Sequence, residues 1–393
     1  MSEFNSLLLL TSVVLFSLLA VFLFDKISPI KLFEHGRNNQ IDGMRGLLAI
    51  FVLIHHAIIW YGYLLSGIWK APEVNFATNL GQVGVTFFFM ITGYLFYSKI
   101  RSSDQDWTRL YISRFLRLTP MFVVSFFLVL LVVGFKSGWK ISVPPASLIE
   151  SIMRWVPFTA LGTPNINGVI NSFTINAGVT WTLVYEWFFY LSLPVMALFF
   201  RKRVSILLVT ISILTLVIFF AYNQLDKTNI ISFAFGLFAS YLTKSDFIQK
   251  FAKCKASSIV IVVIMAFETT YFSTTYNPLP IILCGICFIL ITSGCDLFGI
   301  FKSNIARKLG EATYSIYLLH GIFLYCSMTW LIPGSFSLTF YVFFVSGTAF
   351  LTVLTSCLTF KYIELPFINA TKNVTEIVKD KITIAKRKFW PMT

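Results

Sequence analysis

Long apolar runs recur along this sequence, and most of them approach the length that a helix needs to cross a lipid bilayer. A hydrocarbon core about 30 Å thick requires roughly 20 residues at about 1.5 Å of rise per residue. Backbone inside that core must satisfy its hydrogen bonds internally, so each run predicts a helix. About eleven such runs occur, at 7–24, 46–65, 83–98, 118–135, 179–200, 204–222, 228–243, 257–274, 278–295, 312–332 and 337–360.

The composition agrees with a membrane bundle and excludes an ordinary soluble domain. Hydrophobic residues make up 57% of the 393 residues and charged residues 12%, against about a quarter charged in soluble domains. We therefore predict an all-α fold, a polytopic integral membrane bundle of about 11 transmembrane helices. The first run, 7–24, has neither a basic segment before it nor an A-x-A-like cleavage site after it. We interpret it as a retained helix rather than as a signal peptide.

The basic residues are distributed unevenly between the loops that join the predicted helices. Segments that follow the first, third, fifth, seventh, ninth and eleventh runs hold most of them, including Arg201–Arg203 and the tail from Lys361 to Lys388. The opposite side receives only Lys70, Lys136, Lys140, Arg154 and Lys227. Because cytoplasmic loops carry the excess of Lys and Arg, the N-terminus is predicted to lie outside and the C-terminus in the cytoplasm. Topology thus explains the net charge of +14, and nucleic acid is not expected as a partner.

Ionisable side chains inside apolar spans are costly and often functional, and the second span holds Arg45, His55 and His56. The step of eleven residues from Arg45 to His56 places them about 20° apart on one helical face and about 16 Å apart along the axis. His55 falls about 80° to the other side. This alignment suits an anionic molecule that leaves its phosphates at the mouth while its reactive end goes deep. The alternative is that both histidines are polar contacts between helices.

Further polar residues stand in the later spans. Arg114 and Arg117 share a face at the start of the fourth span, where guanidinium groups suit phosphate but also form the ordinary basic flank of a helix. Glu186 lies in the fifth span, where a carboxylate needs a partner, and Tyr190 shares its face. His320 lies near the middle of the tenth span. We take these residues as candidates for function.

Other polar groups are expected to be uninvolved. Glu311 and Glu364 fall at cytoplasmic ends of predicted helices and Glu268 near an outer end, so all three are predicted to be solvated. Cys284 and Cys287 form a CxxC, but no second Cys or His pair lies nearby in the sequence to complete a zinc site. We interpret them as buried free thiols and predict no metal.

Two segments outside the predicted spans are more than simple loops. The segment 136–178 is long and rich in Pro, Gly and Asn, and its part 146–160 predicts a short helix at the membrane interface. The segment is either a structured cover over a pocket or a connector. The tail 369–393 is basic and amphipathic, so it is predicted to rest on the anionic inner leaflet, with membrane lipids as partners.

Six motifs, in one order, resemble those of the acyltransferase-3 family of membrane acyltransferases. They are a DGxRGxxA…H opening at Ile41–His56, a GVxxFF run at Gly84–Gly93, RxxRxxP at Arg114–Pro120, WxLxxExxFY at Trp181–Tyr190, YSxYLLH at Tyr314–His320 and ExPF at Glu364–Phe367. The resemblance divides the chain into an extra helix and linker, the membrane domain of a ten-helix family core, and the tail, at 1–40, 41–368 and 369–393. Thr86 departs from the family, which often has an acidic residue at that position, and Thr92 stands where Ser is usual.

The resemblance implies an O-acetyltransferase, a multi-pass protein of a bacterial inner membrane. Such proteins move an acyl group, commonly acetyl from cytoplasmic acetyl-CoA, to a hydroxyl of an extracytoplasmic glycan such as O-antigen, lipopolysaccharide, exopolysaccharide or a lipid-linked saccharide. The catalytic residues it implies are His56, Arg45, Glu186 and His320. The CoA phosphates would be held by Arg45, Arg114 and Arg117. His56 would be the general base or a transient carrier, and Glu186 and His320 would orient the acceptor or the base.

The competing class is a proton-coupled transporter of small molecules or lipid-linked sugars, because intramembrane charges also mark proton and substrate paths. Such a protein would show an inverted repeat or paired broken spans, and the sequence shows neither. A non-catalytic lipid-organising protein is a third class, but it leaves the alignment of Arg45 with His56 unused. No Ser or Cys nucleophile stands out, so direct transfer is preferred to an acyl-enzyme.

Overall fold

The computed structural model describes residues 3–32, 38–101, 105–200 and 204–389. These residues form sixteen α-helices and no named β-strand. The helices are α1 Glu3–Ile27, α2 Asn39–Ser66, α3 Asn75–Arg101, α4 Trp107–Lys136, α5 Pro145–Trp155, α6 Trp181–Phe199, α7 Ile206–Tyr222, α8 Lys227–Leu242, α9 Asp246–Ala252, α10 Lys255–Tyr271, α11 Pro278–Thr292, α12 Asn304–Glu311, α13 Thr313–Cys326, α14 Leu338–Thr359, α15 Leu365–Asn369 and α16 Thr371–Phe389. A π-helical turn extends α13 to Leu331, and another joins α14 to α15.

Each predicted apolar run overlaps one of these helices over most of its length, which confirms an all-α membrane bundle. Among the residues that the structure describes, six helices are long and apolar enough to cross a membrane, namely α1, α2, α3, α4, α6 and the continuous helical stretch Leu338–Ile384. The other runs correspond to shorter helices, such as α8 with 16 residues and α10 with 17. The number of eleven crossings therefore stays a prediction. Arg37 and Arg201–Arg203, which contributed to the predicted orientation, lie outside the described residues.

Helix α2 is the helix of the Arg45–His56 alignment, and both of its ends are capped. The Asn38 side chain accepts hydrogen bonds from the backbone N–H groups of Gln40 and Ile41, at 3.1 and 3.3 Å, which satisfies donors that a helix start leaves free. Gly67 ends the helix with φ +70°, and its N–H donates to the Tyr63 carbonyl at 2.8 Å. Arg45 and His56 therefore lie on one uninterrupted helix, as the sequence predicts.

Glycines bring neighbouring backbones into direct contact, as Gly93 and Gly310 show. A Cβ atom at Gly93 of α3 would lie 2.1 Å from the Phe233 carbonyl oxygen of α8, so the run Gly84–Gly93 packs closely on its neighbour. A Cβ atom at Gly310 of α12 would lie 1.8 Å from the Asp42 carbonyl oxygen of α2. Neither position has room for a side chain. Helix α3 therefore packs directly on α8, and α12 packs directly on α2.

Helix α1, whose role the sequence leaves unexplained, packs along α14. The hydroxyls of Ser12 and Ser346 share a hydrogen bond of 2.8 Å across that contact. At its C-terminal end, the Asp25 carboxylate lies 2.5 Å from the Lys308 ammonium group on α12. The first helix is therefore joined to both the last long helix and the short helix that packs on α2.

The segment that follows α4 is structured and packed rather than a loose connector. Its helix α5 confirms the predicted short helix, whose place at the membrane interface stays a prediction, and Trp155 at the end of that helix is only 1% exposed. The Trp155 indole donates to the Pro164 carbonyl at 3.0 Å, which ties α5 to the following turns. A Cβ atom at Gly321 of α13 would lie 2.3 Å from the Asn176 backbone. The segment thus rests directly on α13, next to His320.

Candidate active site

The structure brings the two histidines of α2 and α13 into direct contact. His56 Nδ1 and His320 Nε2 lie 3.1 Å apart, although 264 residues separate them in the sequence. Their ring centroids are 5.1 Å apart. His320 is fully buried and His56 is partly exposed. The sequence singled out both residues separately, and the fold makes them a pair.

Backbone carbonyls determine which nitrogen carries the hydrogen in each ring. His56 Nδ1 lies 2.9 Å from the Val52 carbonyl oxygen, and His320 Nδ1 lies 3.1 Å from that of Ile316. Because a carbonyl oxygen only accepts, both Nδ1 atoms carry hydrogen in the neutral rings. His320 Nε2 then accepts from His56 Nδ1, whose hydrogen is shared with the carbonyl. The lone pair of His56 remains on Nε2, the arrangement that a general base requires.

His55 has a different role from its neighbour. Its Nδ1 lies 2.8 Å from the Ala77 carbonyl oxygen on α3. A Cβ atom at Gly81, one turn further along α3, would lie 2.5 Å from the His55 ring. His55 is therefore a polar contact between α2 and α3, which is the alternative that the sequence left open for both histidines.

A cavity of about 470 Å³ lies at the N-terminal end of α2, between α2, α3, α4, α6 and α13. Ligand-binding pockets commonly have volumes of about 300–1,000 Å³. Four of the candidate residues line the cavity, namely Arg45, Arg114, Arg117 and Glu186. Asp42 also lines it. Three guanidinium groups against two carboxylates leave the cavity positive, so it suits an anion.

Arg45 has an ionic partner that the sequence analysis did not single out. Its Nη2 lies 2.8 Å from Asp42 Oδ1, and the two side chains are only 12% and 8% exposed. The spacing of three residues on α2 was the available signal. Because Gly310 of α12 presses on the Asp42 backbone, the packing of α12 fixes the position of the Asp42–Arg45 pair.

The opposite wall of the cavity holds the two arginines of α4 beside Glu186. Tyr190 Oη donates to Glu186 Oε2 at 3.4 Å, which confirms the predicted i, i+4 contact. The Arg114 guanidinium lies over the Phe96 ring, 5.2 Å from its centroid. Glu186 is within electrostatic reach of both Arg114 and Arg117. Aromatic rings and a carboxylate thus hold Arg114 in place within the bundle, and the same carboxylate lies near Arg117.

Tyr317 stands between this cavity and the histidine pair. It lines the cavity, whereas neither His56 nor His320 is among the described residues that do so. Its ring centroid lies 6.0 Å from that of His320. Its hydroxyl accepts from Thr182 Oγ1 at 3.0 Å. The candidate residues therefore form two groups, a charged cavity and a histidine pair, with Tyr317 as the wall between them.

The prediction that Glu268, Glu311 and Glu364 are solvated is wrong. Their exposed fractions are 0%, 5% and 1%, because neighbouring helices cover the ends on which they lie. Hydroxyl groups replace water as partners: Ser315 donates to Glu364, and Thr275 Oγ1 donates to Glu268 Oε1 at 2.6 Å. Apolar periodicity marks where a helix ends but not which neighbour covers the end.

The two cysteines of the CxxC motif are packing residues of α11. Cys284 and Cys287 are free and fully buried in α11, as expected for packing thiols. Within the described ranges, no group of three or more His, Cys, Asp or Glu side chains is placed to hold a metal ion.

Comparisons with known proteins agree with the motifs. The acyltransferase-3 family model, described as an acyltransferase domain, matches residues 38–359. The chain is also similar to Nodulation protein 10 of Rhizobium leguminosarum bv. viciae, with 28% identity over 211 residues. That match covers 50% of this chain and 55% of the relative, so the chain spans about half the length of that protein. No solved structure matches. Helix α1 and the tail lie outside the matched family region.

Proposed function

Because the chain belongs to the acyltransferase-3 family and is thus a membrane acyltransferase, we propose that it moves an acetyl group from acetyl-CoA to a hydroxyl of a cell-envelope glycan. The glycan is an O-antigen, another lipopolysaccharide unit, an exopolysaccharide or a lipid-linked precursor, and the membrane is a bacterial inner membrane. The observation that carries this proposal is the positive cavity at one end of α2, with the histidine pair further along the same helix.

The donor binds in the cavity from the cytoplasmic side. Arg45, Arg114 and Arg117 contact the CoA phosphates, since guanidinium groups present a planar fork of donors that matches phosphate oxygens. Glu186 lies among these arginines, and its position supports a role in holding them. The thioester end extends toward α13, where Tyr317 has to turn aside before the acyl carbon can reach His56.

The transfer itself is direct. His56 Nε2 takes the proton of the acceptor hydroxyl while its oxygen attacks the thioester carbon. A carbon–oxygen bond forms, the carbon–sulfur bond breaks, and the CoA thiolate leaves with the electron pair. The proton on His56 then passes to that thiolate, which restores the neutral imidazole. His320 fixes the ring of His56 through the hydrogen bond between them, and it stabilises the imidazolium that forms during the step.

The family match removes the reason to prefer a transporter. Intramembrane charges, which alone would suit a proton or substrate path, have a use as ligands of the CoA phosphates. The structure also brings two pairs into contact, Asp42 with Arg45 and His56 with His320. An acyltransferase uses both, one for the donor and one for the proton.

The decisive assay uses the purified full-length protein with labelled acetyl-CoA and a panel of envelope glycans. We expect CoA release and glycan labelling by the unmodified protein, and a loss of about 100-fold or more in His56→Ala. His55→Gln is the matched control, because His55 holds α3 rather than the acceptor proton, and it should retain activity. Full turnover by His56→Ala would sink the mechanism.

A further inference from the structure

Aromatic rings pack edge to face at the C-terminal end of α2, beyond the histidine pair. Trp60, Tyr63, Trp69 and Tyr325 form this aromatic cap, with contacting ring centroids between 5.2 and 5.9 Å apart. Trp60 lies one helical turn beyond His56 on α2, and Tyr325 lies beyond His320 on α13. The two helices thus meet at two successive levels, first through histidines and then through the cap.

The aromatic cap differs from the aromatic belt that many membrane proteins carry at the interface. Belt residues turn their rings toward lipid headgroups, but Trp60 is 3% and Tyr325 5% exposed. The Trp60 indole N–H is buried and has no hydrogen-bond partner among the described residues. Buried indoles normally find an acceptor, so this N–H lacks the partner that its burial calls for.

The rim of the cap is open and carries a second donor. Tyr63 is 38% exposed, and Trp69 is partly exposed beside it. The exposed ammonium group of Lys136 donates to Tyr325 Oη at 2.8 Å. The cap therefore combines apolar ring surfaces with two kinds of N–H donor. This combination fits a ligand with one apolar face and several oxygen acceptors.

We propose that the aromatic cap is the acceptor subsite and binds a pyranose ring of the glycan. The C–H face of the sugar lies against Trp69 and Tyr63, while its oxygens accept from Lys136 and, once the rings over Trp60 move apart, from the Trp60 indole. A lipid chain would offer neither donor an acceptor, so the chemistry favours a saccharide. The subsite rests on the proposed function: it places the acceptor on the side of His56 away from the charged cavity.

The test separates acceptor binding from donor chemistry. Purified full-length protein in lipid nanodiscs receives labelled acetyl-CoA and the methyl glycosides of glucose, galactose and N-acetylglucosamine. We expect Trp69→Ala to raise the KM for the glycosides about tenfold, the effect of one lost aromatic stacking contact. Slow hydrolysis of acetyl-CoA without glycoside, in which water replaces the acceptor hydroxyl and His56 takes its proton, should stay unchanged, and Trp69→Phe should recover most of the transfer. Trp139→Ala, at another exposed outer tryptophan, is the matched control and should behave as the unmodified protein.

Binding is also followed without acetyl-CoA, by saturation-transfer NMR on the same glycosides. Signal from the unmodified protein and Trp139→Ala that is lost in Trp69→Ala would support the subsite, whatever the donor chemistry. Equal glycoside binding by Trp69→Ala and the unmodified protein would overturn it, as would no saturation transfer from the unmodified protein to any glycoside. CoA release that does not depend on His56 would instead refute the proposed function and leave the binding result to decide the subsite.

Discussion

The two ends of α2 differ in the way that they accommodate polar groups inside a membrane bundle. At the N-terminal end, charged side chains surround a cavity of about 470 Å³ and are stabilised by opposite charges, as in the Asp42–Arg45 pair. At the C-terminal end, aromatic rings pack around Trp60, and the charged Lys136 lies at the rim. One end thus gathers charged side chains around a cavity, and the other packs aromatic rings around a buried indole.

This difference has an energetic consequence for substitutions. Removal of one member of a buried ion pair leaves an uncompensated charge, which costs more than the pair itself contributes. Removal of a ring leaves space and fewer contacts, without a stranded charge. Substitutions at the N-terminal end should therefore change donor affinity or stability, and those at the cap should change acceptor affinity. The histidine pair between the two ends should affect the rate alone.

The largest effect is expected at the histidine pair, which lies between the two ends of α2. We expect His320→Leu to lower kcat about 100-fold, because His56 loses the acceptor that fixes its ring. His320→Gln retains an acceptor oxygen and should lose only about tenfold. The KM values for acetyl-CoA and for the glycan should stay near those of the unmodified protein. Steady-state kinetics would contradict this division if both variants changed KM rather than kcat.

The second-largest effect is expected at the cavity and should concern donor binding alone. Arg114→Ala should raise the KM for acetyl-CoA about 10- to 100-fold, since one charged hydrogen-bond donor to phosphate is removed. Arg114→Lys keeps the charge but loses the planar fork of donors. Its KM for acetyl-CoA should therefore lie between those of Arg114→Ala and the unmodified protein. The KM for the glycan is the internal control. An equal rise in both KM values would show that the two ends are not separate sites.

A third prediction concerns stability and does not depend on the activity. Asp42→Asn should lower the free energy of unfolding by about 2 kcal/mol, because it weakens a nearly buried ion pair. Glu73→Gln breaks a pair with the same spacing, Lys70–Glu73, whose side chains are 55% and 82% exposed. That control should not shift the thermal unfolding midpoint in detergent. Equal shifts of the unfolding midpoint in Asp42→Asn and Glu73→Gln would show that the buried pair contributes no more stability than the exposed one.

The smallest effect is expected at α1. Asp25→Asn should lower the stability by about 1 kcal/mol, because the Asp25–Lys308 pair is partly exposed and water replaces part of its energy. Thermal unfolding of Asp25→Asn, Lys308→Met and the double variant would give the coupling between the two residues. Additive losses would mean that the pair contributes nothing of its own.

Helical periodicity predicted much of the fold and part of the site. It placed Arg45 and His56 on one helix, which α2 confirms, and it paired Glu186 with Tyr190. It could not show that His56 meets His320, because periodicity gives the face of a helix and not the helix that faces it. Tyr317 was missed for the same reason. The position of Tyr317, three residues before His320, indicated only that the two residues share a helix.

The contact of Gly310 with the Asp42 carbonyl has a mechanical consequence. With no space between the two backbones, α2 cannot slide or roll without carrying α12 along, and Lys308 transmits that movement through Asp25 to α1. Direct contacts therefore join the three helices. We expect that the cavity widens for a bulky donor by displacement of its opposite wall, the helices α4 and α6 that carry Arg114 and Glu186.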